Sequence, residues 1–255
     1  MGGIVMVSVT KRMSTIKQPR GGYIKPKDFI VTDLLDIGML NEVENIHSSL
    51  VGMAVDYLTR FSNGELIEEA FRISRMGADK AQETKLANKL LMNIKGLDDT
   101  SIESACKMVG FDVVFRSGVE LYKPVELIKP DKETISNIRI MVNRGLNFFK
   151  LYGPIVKNGF HFEGGYTSTI NTGDGDFLTE NTLWDLKVSK SAPTNKHTLQ
   201  LLIYYLMGVR SIHSEFKQIE NLGIFNPRLN KVYLLPISKI PNDIINEVQE
   251  VVIGY

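Results

Sequence analysis

Gly173-Asp174-Gly175-Asp176, Asp185-Leu186-Lys187 and the pair Gln200 and Tyr204 are the residues of this chain whose types and order can do chemistry. Two carboxylates, an amine and a helical Gln-x-x-x-Tyr suit hydrolysis of a phosphodiester with Mg²⁺. Such a reaction needs an activated water, charge neutralisation at phosphorus and help for the leaving oxygen. A hard cation held by carboxylates and a backbone carbonyl supplies these. Asp176 and Asp185 are the expected ligands, and the carbonyl of Leu186 can complete the set. Lys187 would orient or help deprotonate the water and stabilise charge developing on the phosphate. Gln200 and Tyr204, at i and i+4, share one helix face and can bind the water, a phosphate oxygen or the Lys187 amine. Asp174 competes with Asp176, which is preferred because Phe177 and Leu178 continue from it as a strand. Tyr205 competes with Tyr204 for the inward position.

These residues need particular elements to position them. Leu183-Trp184-Asp185-Leu186-Lys187-Val188 alternates apolar and charged residues, a strand of period two, so Asp185 and Lys187 leave the same face and Trp184 the opposite, core face. The polar Thr179-Glu180-Asn181-Thr182 turns the chain as a hairpin and brings Asp176 back beside Asp185. Further elements are expected at Phe160–Ile170 (strand), Thr198–Met207 (helix), Phe216–Phe225 and Lys231–Pro236 (strands), and from Pro241 (helix). The order is β-β-β-α-β-β-α, a mixed α/β (α+β) fold with a mixed sheet flanked by helices.

Three stretches are expected: a basic, partly ordered arm over 1–27, a helical region over 28–158 and the sheet-bearing core over 159–255, together one compact domain. In the helical region Leu50, Val51, Ala54, Val55 and Leu58 keep helical spacing. Ser62-Asn-Gly-Glu65 and Thr100-Ser-Ile-Glu103 have the form of capping boxes, the first opening a helix through Arg75. Ala78 to Ile94 reads as one helix, Phe111–Arg116 as a short strand, and Pro130-Asp131 opens a long helix through Tyr152. This region is large for a minimal site-bearing core. It is expected to build one wall of a substrate channel and to offer a contact for a second copy or another protein.

The 255 residues carry a net charge of +1, so a nucleic-acid partner has to be met by a local groove and not by a globally basic surface. Cys106 is the only cysteine, which excludes an intramolecular disulfide, a cysteine-rich zinc site and a multi-cysteine iron–sulfur cluster, and fits a reducing cytoplasm. No apolar run is long enough to span a membrane. The apolar start at Met1–Val9 has no basic segment before it and does not read as a secretory signal. His161, His197 and His213 lack metal-ligand spacing, and Glu163 can either face the sheet near the site or lie on the polar surface. Ser189-Lys190-Ser191 and Lys196, just after the Asp185 strand, form a loop that can touch phosphates. Gly173 and Gly175 lead into no helix and make no nucleotide-binding loop.

Gly-x-x-Asp at 173–176, Asp-hydrophobic-Lys at 185–187 and Gln-x-x-x-Tyr at 200–204, in that order, resemble the PD-(D/E)XK nuclease superfamily over roughly 160–236. The Gln-x-x-x-Tyr is similar to that of its RecB-like branch, which includes lambda-exonuclease-like enzymes. The resemblance implies a restriction-endonuclease-like core, Mg²⁺ or Mn²⁺ as cofactor and hydrolysis of DNA phosphodiesters, with Asp176, Asp185, Lys187, Gln200 and Tyr204 at the site. It also implies an upstream His or acid at the metal. Gly52-Met-Ala-Val-Asp56 offers Asp56 there, with Glu65, Glu68 and Glu69 as competitors, so one metal or two stays open. Two other readings keep the same residues. One is a catalytically silent or partner-dependent binding module on this fold, as in a phage or defence system. The other is an unrelated metal-dependent hydrolase of small phosphoesters.

Overall fold

The computed structural model describes residues 7–35 and 38–255. Most of the apolar start, Met1 to Met6, lies outside them. In chain order the elements are α1 (Val9–Thr15), β1 (Ile30–Asp33), α2 (Ser48–Ser62), α3 (Ile67–Ala70), α4 (Arg72–Lys80), α5 (Thr84–Asn93), α6 (Asp99–Met108), α7 (Asp112–Ser117) and α8 (Lys132–Tyr152). They continue as β2 (Ile155–Phe160), β3 (Gly175–Thr179), β4 (Thr182–Leu186), α9 (Asn195–Arg210), β5 (Asn221–Asn226), β6 (Lys231–Pro236) and α10 (Asn242–Glu247), which runs into a π-helical turn, Val248–Ile253. Two compact units form: unit one from Met1–Leu34 with Phe149–Tyr255, and unit two from Leu35–Phe148.

Unit one is built on a six-stranded mixed sheet in the order β1-β6-β5-β4-β3-β2. β4 and β5 are parallel and every other neighbouring pair is antiparallel. A parallel neighbour cannot be reached by a tight turn, so the chain must cross over, and α9 is that crossover. From β2 onward the order is the β-β-β-α-β-β-α expected from the sequence. One sheet face, with Leu178, Leu183, Leu222 and Ile224, packs on Leu199, Leu202, Ile203 and Leu206 of α9. On the other face Phe177 stacks on Trp184, and the last turn of α8 sets Phe149 and Tyr152 edge-on to them at 5.1 and 5.3 Å. Trp184 is thus core, as its strand parity required, and its indole N–H donates to Thr179 Oγ1 at 2.9 Å.

Several expectations are corrected here. The basic arm is part of the fold from Val7 on: Val9, Met13, Tyr23, Ile24 and Phe29 are buried in the unit-one core. Arg12, one of the basic residues of this stretch, donates to the carbonyls of Val251 and Val252 at 2.7 and 2.8 Å. β1 was not foreseen, because all four of its residues are exposed at the sheet edge and carry no burial alternation. Phe160 ends β2 and does not open a strand to Ile170. Gly164 takes φ +87°, and a side chain at Gly165 would come within 2.1 Å of the Met207 carbonyl oxygen, so the segment is a loop folded against α9. The residues from Ser214 to Gln218 form a helical turn before β5 begins at Asn221.

Unit two is helical, as expected, with different boundaries. Ser62 closes α2 and opens nothing: Glu65 instead takes two N–H bonds from Arg60 at 2.7 and 2.8 Å. The helix predicted across Ala78–Ile94 breaks between α4 and α5, where Gln82 adopts φ +61°. α6 is capped by Asp98, whose carboxylate accepts from Ser101 N at 3.0 Å, and not by Thr100. Phe111–Arg116 is helical because Asp112 is an internal anchor: it accepts from Tyr57 Oη at 2.6 Å and from Ser74 Oγ. α8 begins as predicted, with Asp131 Oδ1 accepting from Thr134 N at 2.8 Å. Among the described residues no helix is long and apolar enough to cross a membrane.

Candidate active site

The β3–β4 hairpin forms as its sequence predicts. Phe177 pairs with Trp184 and Leu178 with Leu183, so one further step of that register sets Asp176 opposite Asp185. Leu178 and Leu183 face α9, and strand parity puts both aspartates on that same face. Asp176 is partly exposed, and its Oδ2 accepts the backbone N–H of Leu186 at 2.6 Å, which ties the first acid to the strand carrying the second. Asp174, its competitor, is exposed just before β3.

Asp185 is only 2% exposed. Its Oδ1 accepts from Lys187 Nζ at 2.9 Å. Its Oδ2 is buried and has no hydrogen-bond donor among the described residues. A buried carboxylate oxygen without a donor costs of the order of 1–3 kcal/mol or more. A hard cation satisfies such an atom, because oxygen is its preferred donor. The donors present, Asp176, Asp185 and the Leu186 carbonyl position between Asp185 and Lys187, therefore fit Mg²⁺ or Mn²⁺. Lys187 is anchored through its backbone N–H to Phe225 O at 3.0 Å, and its side chain stays about one quarter exposed (26%).

Gln200 and Tyr204 are both buried on α9, and Gln200 Nε2 donates to Tyr204 Oη at 2.7 Å. Burial, and after it the negative charges of Asp185, Asp174 and Asp176, hold the Tyr204 phenol well above its ordinary pKa, against the lowering effect of the Gln200 bond. Tyr204 therefore stays protonated, and its own hydrogen remains to be donated. Tyr205 is only partly buried and packs on the margin of the core, which leaves the inward position to Tyr204.

The glycines of the motif serve packing. Gly175 lies in register with Phe160, and a Cβ there would come within 2.2 Å of that ring. The Gly173 carbonyl accepts from Tyr166 Oη at 3.1 Å. His213 pairs with Glu163 at 3.0 Å, and His161 Nδ1 lies 3.3 Å from the Gly173 carbonyl.

Asp56 belongs to unit two, on α2. Burial, with Glu65 and Asp112 adding to it, pushes its carboxyl up to about 6 against the opposing pull of Arg60 and Arg116. Of its competitors, Glu65 is held by Arg60 at 2.7 Å, and Glu68 and Glu69 are exposed on α3. Among the described residues no three His, Cys, Asp or Glu side chains converge as a metal cluster. The structure thus assembles Asp176, Asp185, Leu186, Lys187, Gln200 and Tyr204 in unit one, while Asp56 sits in a charged cluster of its own unit.

Two residues were not singled out from sequence. Asn226 is buried at the end of β5; its Nδ2 donates to Ser189 O at 2.9 Å and its Oδ1 accepts from Arg228 N at 3.0 Å, so it pins the loop after Lys187. The Asn-Pro pair at 226–227 was its signal. His197, read as an isolated histidine, is the third helical residue of α9 and closes a capping box with Thr194. The pattern Thr-x-x-His departs from the usual Ser/Thr-x-x-Glu/Gln and is easily passed over. No family model, curated protein or solved structure matches the chain.

Proposed function

We propose that this protein is a divalent-metal-dependent nuclease that hydrolyses DNA phosphodiester bonds in the cytoplasm. Its sheet unit would be a restriction-endonuclease-like core of the PD-(D/E)XK, RecB-like kind. One observation carries the reading: Asp185, in register with a second acid and bonded through Oδ1 to a lysine two residues on, buries an Oδ2 that has no donor among the described residues. That is how a cation site arranges its carboxylates and is a costly way to build a plain core.

Asp176, Asp185 and the Leu186 carbonyl would hold Mg²⁺ or Mn²⁺, which would neutralise phosphate charge and make water acidic enough to attack at neutral pH. Asp176 is oriented by the Leu186 N–H, so the two acids keep a fixed spacing. Lys187 carries a positive charge next to the acids and partly open to solvent, where it can hold the attacking water or a phosphate oxygen. Tyr204, kept protonated and supplied with a bond from Gln200, donates on the acid-bearing side of α9 and sets the orientation of whatever it meets there.

The test is degradation of linear and circular DNA, single- and double-stranded, with Mg²⁺ or Mn²⁺, comparing wild type with Lys187→Ala. Metal-dependent cleavage that the variant loses by about a hundredfold or more is expected for loss of a charge-stabilising group. A folded wild type that cuts none of these substrates would overturn the reading and leave a binding module on the same fold. Turnover of a chromogenic phosphodiester with no action on DNA would assign a small-molecule hydrolase instead.

A further inference from the structure

His197, Gln200 and Tyr204 stand at i, i+3 and i+7 on α9, one stripe of the helix, and the stripe's two inner members form the bonded pair on the acid-bearing side of the sheet. His197 is its outer, partly exposed end. The ring is fixed by the helix start: the Thr194 backbone N–H donates to His197 Nδ1 at 3.2 Å, while the Thr194 side chain accepts from the His197 backbone. An Nδ1 that accepts a hydrogen bond carries no proton, so the ring's proton is on Nε2. Nε2–H has no acceptor among the described residues. The capping box thus leaves an imidazole donor on the ring's other nitrogen, as a Glu in the same place would not.

The surroundings suit an anion at that donor. Burial first, then the nearby positive charge of Lys187, holds the His197 pKa below its usual value, against the opposing effect of Asp185, so the ring is within electrostatic reach of both. The loop leading into α9 carries Lys190, and Lys196 precedes His197. This loop is held in shape before any ligand arrives: Ser189 N donates to Lys187 O at 3.0 Å and Asn226 clamps the Ser189 carbonyl.

We propose that His197 is a substrate-binding residue whose Nε2–H donates to a non-bridging phosphate oxygen of the nucleic-acid strand running past Lys187. The assignment rests on the nuclease reading above. It gives the neutral imidazole a role separate from the catalytic lysine: it recognises one backbone phosphate as a hydrogen-bond acceptor, independent of base sequence.

His197→Leu removes the donor, and His197→Gln, which keeps both a Thr-x-x-Gln capping box and an amide N–H donor beyond it, is its control. His197→Gln should melt and bind like wild type, whereas His197→Leu should bind a short DNA oligonucleotide about tenfold more weakly in Ca²⁺ and show the loss mainly in KM, as expected for one lost bond to a charged group. A second measurement does not depend on the variant's stability. Single neutral methylphosphonate linkages are walked along the oligonucleotide, and wild type should lose affinity at one linkage where His197→Leu loses nothing further. Equal affinity and equal KM in wild type and His197→Leu, or identical methylphosphonate profiles, would overturn the proposal and leave His197 a helix cap. A wild type that neither binds nor cleaves the oligonucleotide would instead sink the nuclease reading, and this inference with it.

Discussion

Asp185 is a carboxylate placed where a carboxylate is expensive: 2% exposed, with one oxygen bonded to Lys187 and the other without a donor among the described residues. Folding alone gains little from such a residue, since a buried charge pair is often no better than an apolar pair of the same volume. A cation that binds only the folded state returns the cost as stability. At a hundredfold excess over its Kd it adds about 2.7 kcal/mol, several degrees in Tm for a chain of this size. Mg²⁺ or Mn²⁺ is therefore expected to raise the melting midpoint of wild type, and Asp185→Asn to abolish both that shift and cleavage. A variant stabilised by Mg²⁺ as much as wild type would show that this carboxylate does not hold the ion. At the same scale the sequence disclosed how the candidate residues are placed: Asp176 opposite Asp185, Lys187 bonded to Asp185, and Gln200 bonded to Tyr204 follow from strand and helix periods that short-range sequence expresses. The placement of His197 and Asn226 was not legible, because their work is to bond backbone of the loop between β4 and α9, and nothing in residue type announces which carbonyl or ring nitrogen they meet.

At the scale of elements, the hairpin that pairs the acids depends on its outer neighbour. β2 packs on β3 with Phe160 opposite Gly175, and the ring occupies the place where a Cβ would stand, 2.2 Å away. Gly175→Ala should therefore cost about 1–3 kcal/mol by overpacking, read in urea denaturation. Combined with Phe160→Ala, itself a costly loss of a buried ring, it should cost less than the sum of the two single losses; a purely additive double variant would mean that the two do not share the space. The hairpin itself was legible because a polar tetrad separates two apolar runs. α8 was legible from its apolar stripe and its Pro-Asp start. The errors have physical causes. β1 is an exposed edge strand with no buried face to produce an alternation. Phe111–Arg116 has strand-like composition, but Asp112 is held by Tyr57 and Ser74 within a helical packing that is fixed far away in sequence. The aromatic stretch after Phe160 bends away at Gly164, whose φ of +87° a strand does not allow.

At the scale of the whole molecule, a net charge of +1 gives no long-range attraction for a polyanion, so on the proposed nuclease reading binding has to come from the few cations set around the site. Lys187, Lys190 and Lys196 lie within ten residues of one another, just past β4, in the loop that follows it and at the start of α9. Three phosphate contacts correspond to a slope of log K against log salt of about −3 on duplex DNA and about −2 on a single strand. Substituting Lys190 or Lys196 by Ala should reduce the magnitude of the slope by about one each and weaken binding equally for all sequences. His197→Leu should weaken binding with the slope unchanged, because a neutral donor releases no counterion. A measured slope several times steeper would place the binding surface on a broad basic face that this chain's charge does not predict, and would move the contact away from the β4–α9 loop. A slope near the expected value that the Lys190 and Lys196 variants leave unchanged would move it as well. The shallow slope, its loss lysine by lysine and its indifference to His197 together test whether a nearly neutral protein reads a nucleic-acid strand through one local groove.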